Sequence, residues 1–327
     1  MPKGYHHLTR DQRCQLYTLK DRESINKIAI AIGVHRSTLY RELNRNKGER
    51  GYRYQQAHEK AMERRKDSVI NKRKMTEKLI AKIKNKLLLQ WSPEQISGWC
   101  KRQNSKENVS HETIYRYIWK DKKNGGCLYK ELRHHGKKYN KRGSQKSGRG
   151  CIPGRIDIAE RPSIVEEKSR LGDWEIDTII GKNHKGAIVS MVERYSKLTL
   201  LSKVTQKTAA EVEKALTSKL INVAECVLTL TADNGKEFSL HQAIASKLGA
   251  TVYFARPYRS WERGLNEHTN GLVRQYLPKS KRLDMLDNEI VKEIEDLLNN
   301  RPRKVLQFRT PIEVFNECRL KSAVVAL

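Results

Sequence analysis

Three acidic residues sit in settings that could support chemistry. Asp177 closes the run Gly172-Asp173-Trp174-Glu175-Ile176-Asp177, and Asp233 opens Asp233-Asn234-Gly235-Lys236-Glu237-Phe238 directly after the apolar stretch Val227 to Thr231. Glu267 lies in Trp261-Glu262-Arg263-Gly264-Leu265-Asn266-Glu267-His268-Thr269-Asn270-Gly271. Breaking and joining phosphodiesters requires charge to be neutralised on the attacking and leaving oxygens. Two divalent ions about 3.5–4 Å apart do this when a few carboxylates hold them, and such hard oxygen ligands suit Mg²⁺. Each acid also has a plainer reading. Asp-Asn-Gly is a good turn sequence, an acid on a strand can simply face water, and Glu267 can be an ordinary exposed helix residue. Together the three are a stronger signal than any one.

The elements that must position these acids follow from periodicity. Alternation over Leu171 to Gly181 puts Asp173, Glu175, Asp177 and Ile179 on one face and Trp174, Ile176 and Thr178 on the other. Strand-like runs cover Trp174 to Ile180, Ala187 to Val192, Leu198 to Val204, Val227 to Thr231 and Thr251 to Phe254. Helical runs cover Thr208 to Leu220, Ser239 to Leu248 with Gly249 as its stop, Asn288 to Leu298 and Pro311 to Cys318. The order predicts an α/β fold of ribonuclease-H-like type: a mixed five-stranded sheet with an antiparallel meander, parallel additions and flanking helices. Asp233 then falls at a strand's carboxyl end, where sheet enzymes place ligands. On a helix, Glu267, Asn270 and Arg274 share a face, giving a carboxylate, an amide and a guanidinium in one stripe suited to metal and phosphate.

Charge identifies the partner. Against 37 acidic residues stand 66 Lys and Arg, a formal net charge of +29 over 327 residues, and a polyanion is the natural counterpart of such an excess. No apolar run reaches the ~18 residues of a membrane span, and the first residues lack a signal peptide's apolar region. A cytoplasmic, nucleoid-associated protein without membrane contact is expected. The six cysteines are scattered with no C-x-x-C spacing, which argues against zinc and for reduced thiols.

Duplex DNA is the expected polyanion because the first third contains two helix-turn-helix patterns. In Ser24 to Leu43, small Ala29 lets two helices cross closely and Gly33 turns the chain. Val34 and Leu39 pack between the helices, leaving Arg36, Ser37, Thr38 and Arg41 to enter a major groove. A looser copy runs from Trp91-Ser92-Pro93 to Ile118. There Ser110 has the look of a helix cap, and His111, Thr113 and Arg116 face outward with it. The predicted organisation is a first all-α module at 1–65, a second at 66–120, a basic Gly/Ser-rich linker at 121–165 and the catalytic domain at 166–327.

The second half resembles the catalytic domain of the insertion-sequence thirty family of transposases, part of the broad DDE transposase and retroviral integrase group. The likeness rests on the three acidic motifs and on the 33 residues between Asp233 and Glu267. It rests also on Ile152-Pro153-Gly154-Arg155, Glu160-Arg161-Pro162, Arg274-Gln275-Tyr276-Leu277-Pro278-Lys279 and Asn300-Arg301-Pro302-Arg303. Ile176, Leu265 and His268 are slight departures. The resemblance implies that Asp177, Asp233 and Glu267 hold two Mg²⁺ or Mn²⁺ ions and activate water, then a DNA 3′-hydroxyl, with no covalent protein intermediate. Asn270 and Arg274 would position the scissile strand. It further implies terminal inverted repeats and target DNA as partners, and at least a homodimer, since two ends must be joined. Two other readings remain. A non-catalytic helix-turn-helix regulator leaves the acids unexplained, and a hydrolase of RNA–DNA hybrids has no use for duplex-reading modules.

Overall fold

Four helices build the first of two units in the computed structural model, which describes residues 7–71, 75–103, 108–133, 152–256 and 259–325. The units are Met1–Thr76 and Glu77–Leu327. Helix α1 (Arg10–Leu19) starts at a capping box: the Thr9 hydroxyl accepts the Gln12 amide at 3.2 Å and the Gln12 side chain accepts the Thr9 amide at 2.9 Å. Helix α2 (Ile25–Ile32) ends at Gly33, whose φ of 73° is the left-handed conformation that glycine adopts without penalty. Helix α3 (Arg36–Asn46) follows at once, and α4 (Tyr54–Asn71) packs on α1 and α3. Leu16, Ile28, Ile32, Leu39, Tyr52 and Ala57 form the core. Arg13 is buried there, and it is tolerable because Glu42 lies 2.7 Å away and Leu8 offers its carbonyl at 2.6 Å.

The second unit begins with three helices, α5 (Glu77–Leu88), α6 (Pro93–Arg102) and α7 (His111–Lys123). Ser92 and Gln95 cap α6 reciprocally, with Pro93 in its first turn. A one-turn helix, Leu128–Glu131, follows α7. Of the stretch expected as a basic linker, residues 134–151 lie outside the described residues. Strand β1 (Ile156–Asp157) and helix α8 (Ser163–Glu167) come next.

The sheet adds β2 (Asp173–Ile180), β3 (Ala187–Glu193), β4 (Thr199–Val204), β5 (Thr229–Ala232) and β6 (Thr251–Phe254). Helices α9 (Ala209–Leu220) and α10 (His241–Leu248) intervene, and α11 (Gly264–Tyr276), α12 (Asn288–Asn299) and α13 (Pro311–Val325) follow. Strand order is β1-β6-β5-β2-β3-β4. The β2-β3-β4 meander is antiparallel and the β2-β5-β6-β1 side parallel. All five expected strands are present; the sixth, β1, is only two residues long, too short to leave a periodic signal.

Alternation along β2 divides the core. Trp174 and Ile176 join Val212, Leu216, Ile244, Leu248 and Phe315 from α9, α10 and α13. Ile179 joins Ile188, Leu272, Val273, Val291, Ile294 and Leu298, with α11 and α12 on that face. Trp174 is fully buried, and its indole N–H donates to the Cys226 carbonyl at 2.8 Å, so the burial leaves no orphaned donor. Among the described residues no helix is long and apolar enough to cross a membrane.

Candidate active site

Register alone brings the two aspartates together. Parallel β2 and β5 pair Asp173 with Thr229 and Glu175 with Thr231, so two residues further along the same face come Asp177 and Asp233. Across the other edge of β2, Asp177 pairs with Ser190 of β3. Arg263, just before α11, joins the two acids: one guanidinium nitrogen lies 3.6 Å from Asp177 and the other 3.5 Å from Asp233. The same side chain donates to the Ile176 carbonyl at 3.3 Å.

Each carboxylate is oriented by further donors. The Asn270 side-chain amide donates to Asp177 at 2.7 Å, and the Asn270 oxygen accepts from the Ser190 hydroxyl at 3.1 Å. The Thr178 backbone N–H donates to Asp177 at 2.9 Å. The Gly235 N–H donates to Asp233 at 2.8 Å, closing the turn that Asp-Asn-Gly encodes. Next to it, Asn234 is buried, donating to the Ala255 carbonyl at 2.5 Å and accepting from Arg155. Burial pushes the Asp177 carboxyl above the usual carboxylate range; Arg263 pulls it back, and the negative Asp233 pushes it up again.

Glu267 stands on α11 one turn after Arg263 and one turn before Asn270, and it is exposed. Among the described residues no group of three or more His, Cys, Asp or Glu side chains is gathered as a metal site. The fit to divalent ions therefore rests on the aspartate pair. Two hard carboxylates converge on one cationic group, and burial, with the negative Asp233 beside it, raises the proton affinity of Asp177. That donor set suits a divalent cation. Glu267 comes from the helix that already supplies Arg263's neighbour and Asn270.

Other acids and bases of the motifs have structural partners. Asp173 receives two hydrogen bonds from Arg170, both at 3.0 Å, and one from Thr229 at 2.7 Å. Glu175 takes Arg194 at 2.8 Å and the Asn266 amide at 3.0 Å. Arg274, on the stripe expected to face phosphate, donates to the backbone carbonyls of Ile180 at 2.7 Å and Leu277 at 3.4 Å. Sequence reasoning passed over Arg263 as an organising residue and missed Ser190. No helical spacing pointed to Arg263, because it precedes α11 with a non-helical backbone.

On α3, Arg36 and Arg41 are exposed, while Ser37 and Thr38 are half-buried. His35 caps α3, its Nδ1 lying 2.8 Å from the Ser37 hydroxyl. On α7, His111 and Arg116 are exposed; the Ser110 hydroxyl caps the helix at the Thr113 amide, 3.4 Å away, and lies 3.0 Å from the Thr113 hydroxyl. Five of these eight residues, Arg36, Arg41, Ser110, His111 and Arg116, are exposed, and Ser37, Ser110 and Thr113 have local partners.

Comparison with known proteins identifies the family. The integrase core domain matches residues 168–260, a span that holds both aspartates and stops short of Glu267. The transposase for insertion sequence element IS4351 of Bacteroides fragilis is 49% identical over 314 residues, 95% of this chain and 96% of that protein. Transposase InsI for insertion sequence element IS30A of Escherichia coli (strain K12) is 34% identical over 322 residues, 94% of this chain and 83% of that one. Among solved structures, the catalytic core domain of BIV integrase is similar at 23% identity, over 46% of this chain and 97% of that one, with a TM-score of 0.37. A mixed sheet bearing an integrase core, in a chain with such relatives, defines an enzyme of the polynucleotidyl transferase class. Coverage of nearly the full length at this identity narrows the class further. The chain belongs to the IS30 family of transposases.

Proposed function

We propose that this transposase binds the terminal inverted repeats of its own insertion sequence and, with Asp177, Asp233 and Glu267 as the acidic triad, cleaves the ends and transfers them to target DNA. The reading is carried by Asp177 and Asp233 converging on the single guanidinium of Arg263. In the first step a water oxygen attacks phosphorus at the element's end. The P–O3′ bond breaks, and the proton lost by water is balanced by one gained at the leaving 3′-oxygen. In the second, that 3′-hydroxyl attacks a target phosphodiester, forming one P–O bond and releasing the target's 3′-hydroxyl.

Asp177, Asp233 and Glu267 would hold two Mg²⁺ or Mn²⁺ ions, which when bound neutralise charge on the attacking and leaving oxygens. The chain's own part is orientation. Asn270, fixed by Ser190, holds one Asp177 oxygen, and the Gly235 amide holds Asp233. Arg36, Ser37, Thr38 and Arg41 would read one stretch of the repeat, and Ser110, His111, Thr113 and Arg116 another. Asn270 would also meet the scissile strand, and Arg274 would support it by fixing the end of β2. A dimer or larger assembly would bring two ends together.

The test is Asp233→Asn in the full chain. Binding to a terminal-repeat duplex should remain within about twofold. Mg²⁺-dependent cleavage should fall by on the order of a thousandfold, the equivalent of several kcal/mol of lost charge stabilisation. Parallel loss of binding and cleavage would instead mark Asp233 as a folding residue and sink the assignment.

A further inference from the structure

A line of polar contacts ties the second helical module to the helix that carries Glu267. Arg301, which follows α12, is 3% exposed. Its Nε donates to Gln95 of α6 at 2.9 Å, and its Nη1 donates to Gln275 of α11 at 3.2 Å. Gln275 in turn donates to Gln90, in the turn between α5 and α6, at 2.7 Å. Gln95 is also the residue that caps α6 with Ser92. One planar guanidinium therefore grips the first turn of α6 and the last turn of α11 together, a bridging geometry that a lysine cannot reproduce.

Four further contacts tie the helical segment to the catalytic domain. Lys304 pairs with Glu94 at 2.7 Å, and Arg102 with Glu313 at 2.9 Å. Phe308 meets Gly98 so closely that a Cβ there would lie 2.3 Å from the ring. Phe308 and its neighbour Gln307 have φ of 61° and 55°, left-handed backbone that non-glycine residues keep only where the surroundings impose it. Beyond α7, Arg133 comes so near Gly271 of α11 that a Cβ on the glycine would lie 2.9 Å from its Nη2. Thus α6 meets the catalytic domain at its first turn, its middle and its end. Its exposed neighbour α7 is left pointing outward.

We infer that Arg301 is a positioning residue: through Gln95 and Gln275 it locks the second duplex-reading module to α11, so that the DNA held by α7 is presented to the carboxylates at one fixed offset. The inference rests on the proposed function, in that α7 reads DNA and Glu267 belongs to the reacting site. In this arrangement the module acts as a ruler for the cut.

The experiment uses the full chain, Mg²⁺ and an end-labelled duplex bearing the element's own terminal repeat. It reads binding, cleavage rate and the position of each cut. Arg301→Lys should bind as the wild type does. Its cleavage should be slower by roughly tenfold to a hundredfold, the cost of a misplacement of about 1 Å, and its cuts should spread to neighbouring phosphodiesters. Glu94→Lys, at the exposed rim, should move rate and cut position in the same direction by less, and Glu94→Lys with Lys304→Glu should restore both; this pair keeps the test open if Arg301→Lys does not fold. Wild-type rate and a single cut position in Arg301→Lys and Glu94→Lys would overturn the inference. So would a parallel loss of binding and cleavage with the cut position unmoved. The parent reading fails separately, if Asp233→Asn cleaves normally.

Discussion

The two ends of β2 treat their acids in opposite ways. At its start, Asp173 and Glu175 are at most 1% exposed, yet each is closed off by an arginine of its own and further hydrogen bonds. At its far end, Asp177 and Asp233 share one arginine at 3.5 and 3.6 Å, longer than any good charge-assisted hydrogen bond. The first pair is balanced internally and serves the fold. The second pair shares a single guanidinium at longer range, so Arg263 holds each of its carboxylates less closely than Arg170 and Arg194 hold the first pair.

The contrast is sharpest in stability. Arg194→Met should destabilise the protein by about 3–5 kcal/mol, because Glu175 would be left buried without its partner; urea unfolding measures it. Adding Glu175→Gln should recover most of that loss, and no recovery would mean that Arg194 contributes through packing instead. A smaller effect is expected from metal. Mg²⁺ at a hundredfold excess over its Kd should stabilise the wild type by ~2.7 kcal/mol and leave Asp233→Asn unchanged in thermal melts. An equal response from the two proteins would place the ions elsewhere.

The smallest effect concerns pH. The native carboxyl of Asp177 has a raised pKa, so the folded state holds its proton where the unfolded chain has released it. Stability should then fall as pH rises from the unfolded carboxylate range near 4 through the higher native value. In the absence of divalent ions, Asp177→Asn should melt a few degrees higher than the wild type at neutral pH, and the gain should disappear in acid. A gain of the same size at every pH would mean that charge is not its origin.

What could be read from the sequence was what is local. Alternation around Trp174 and Ile176 gave the strand and its faces, and the apolar run before Asp233 gave the strand end; Gly33 and Gly249 marked helix stops that the structure has at those residues. Contacts between distant residues were not legible. Gln90, Gln95, Gln275 and Arg301 are unremarkable side chains in sequence, and they matter only because the fold brings α6 against α11. Arg274 shows the same limit: the helical stripe gives its side, but that its guanidinium meets the Ile180 carbonyl depends on where β2 ends. The exposure of Glu267 was one of the readings the sequence left open, since helix periodicity fixes a side but not what stands opposite it.

The start of the catalytic domain is tied down at an unexpected place. His241 lies 3.2 Å from the Gly154 carbonyl, Arg155 bonds Asn234, and β1 seals the edge of β6. The polypeptide leading into the sheet is therefore stitched to Asn234, the residue beside Asp233, as it enters β1. Tension applied upstream of Gly154 has a short mechanical route to one of the two aspartates.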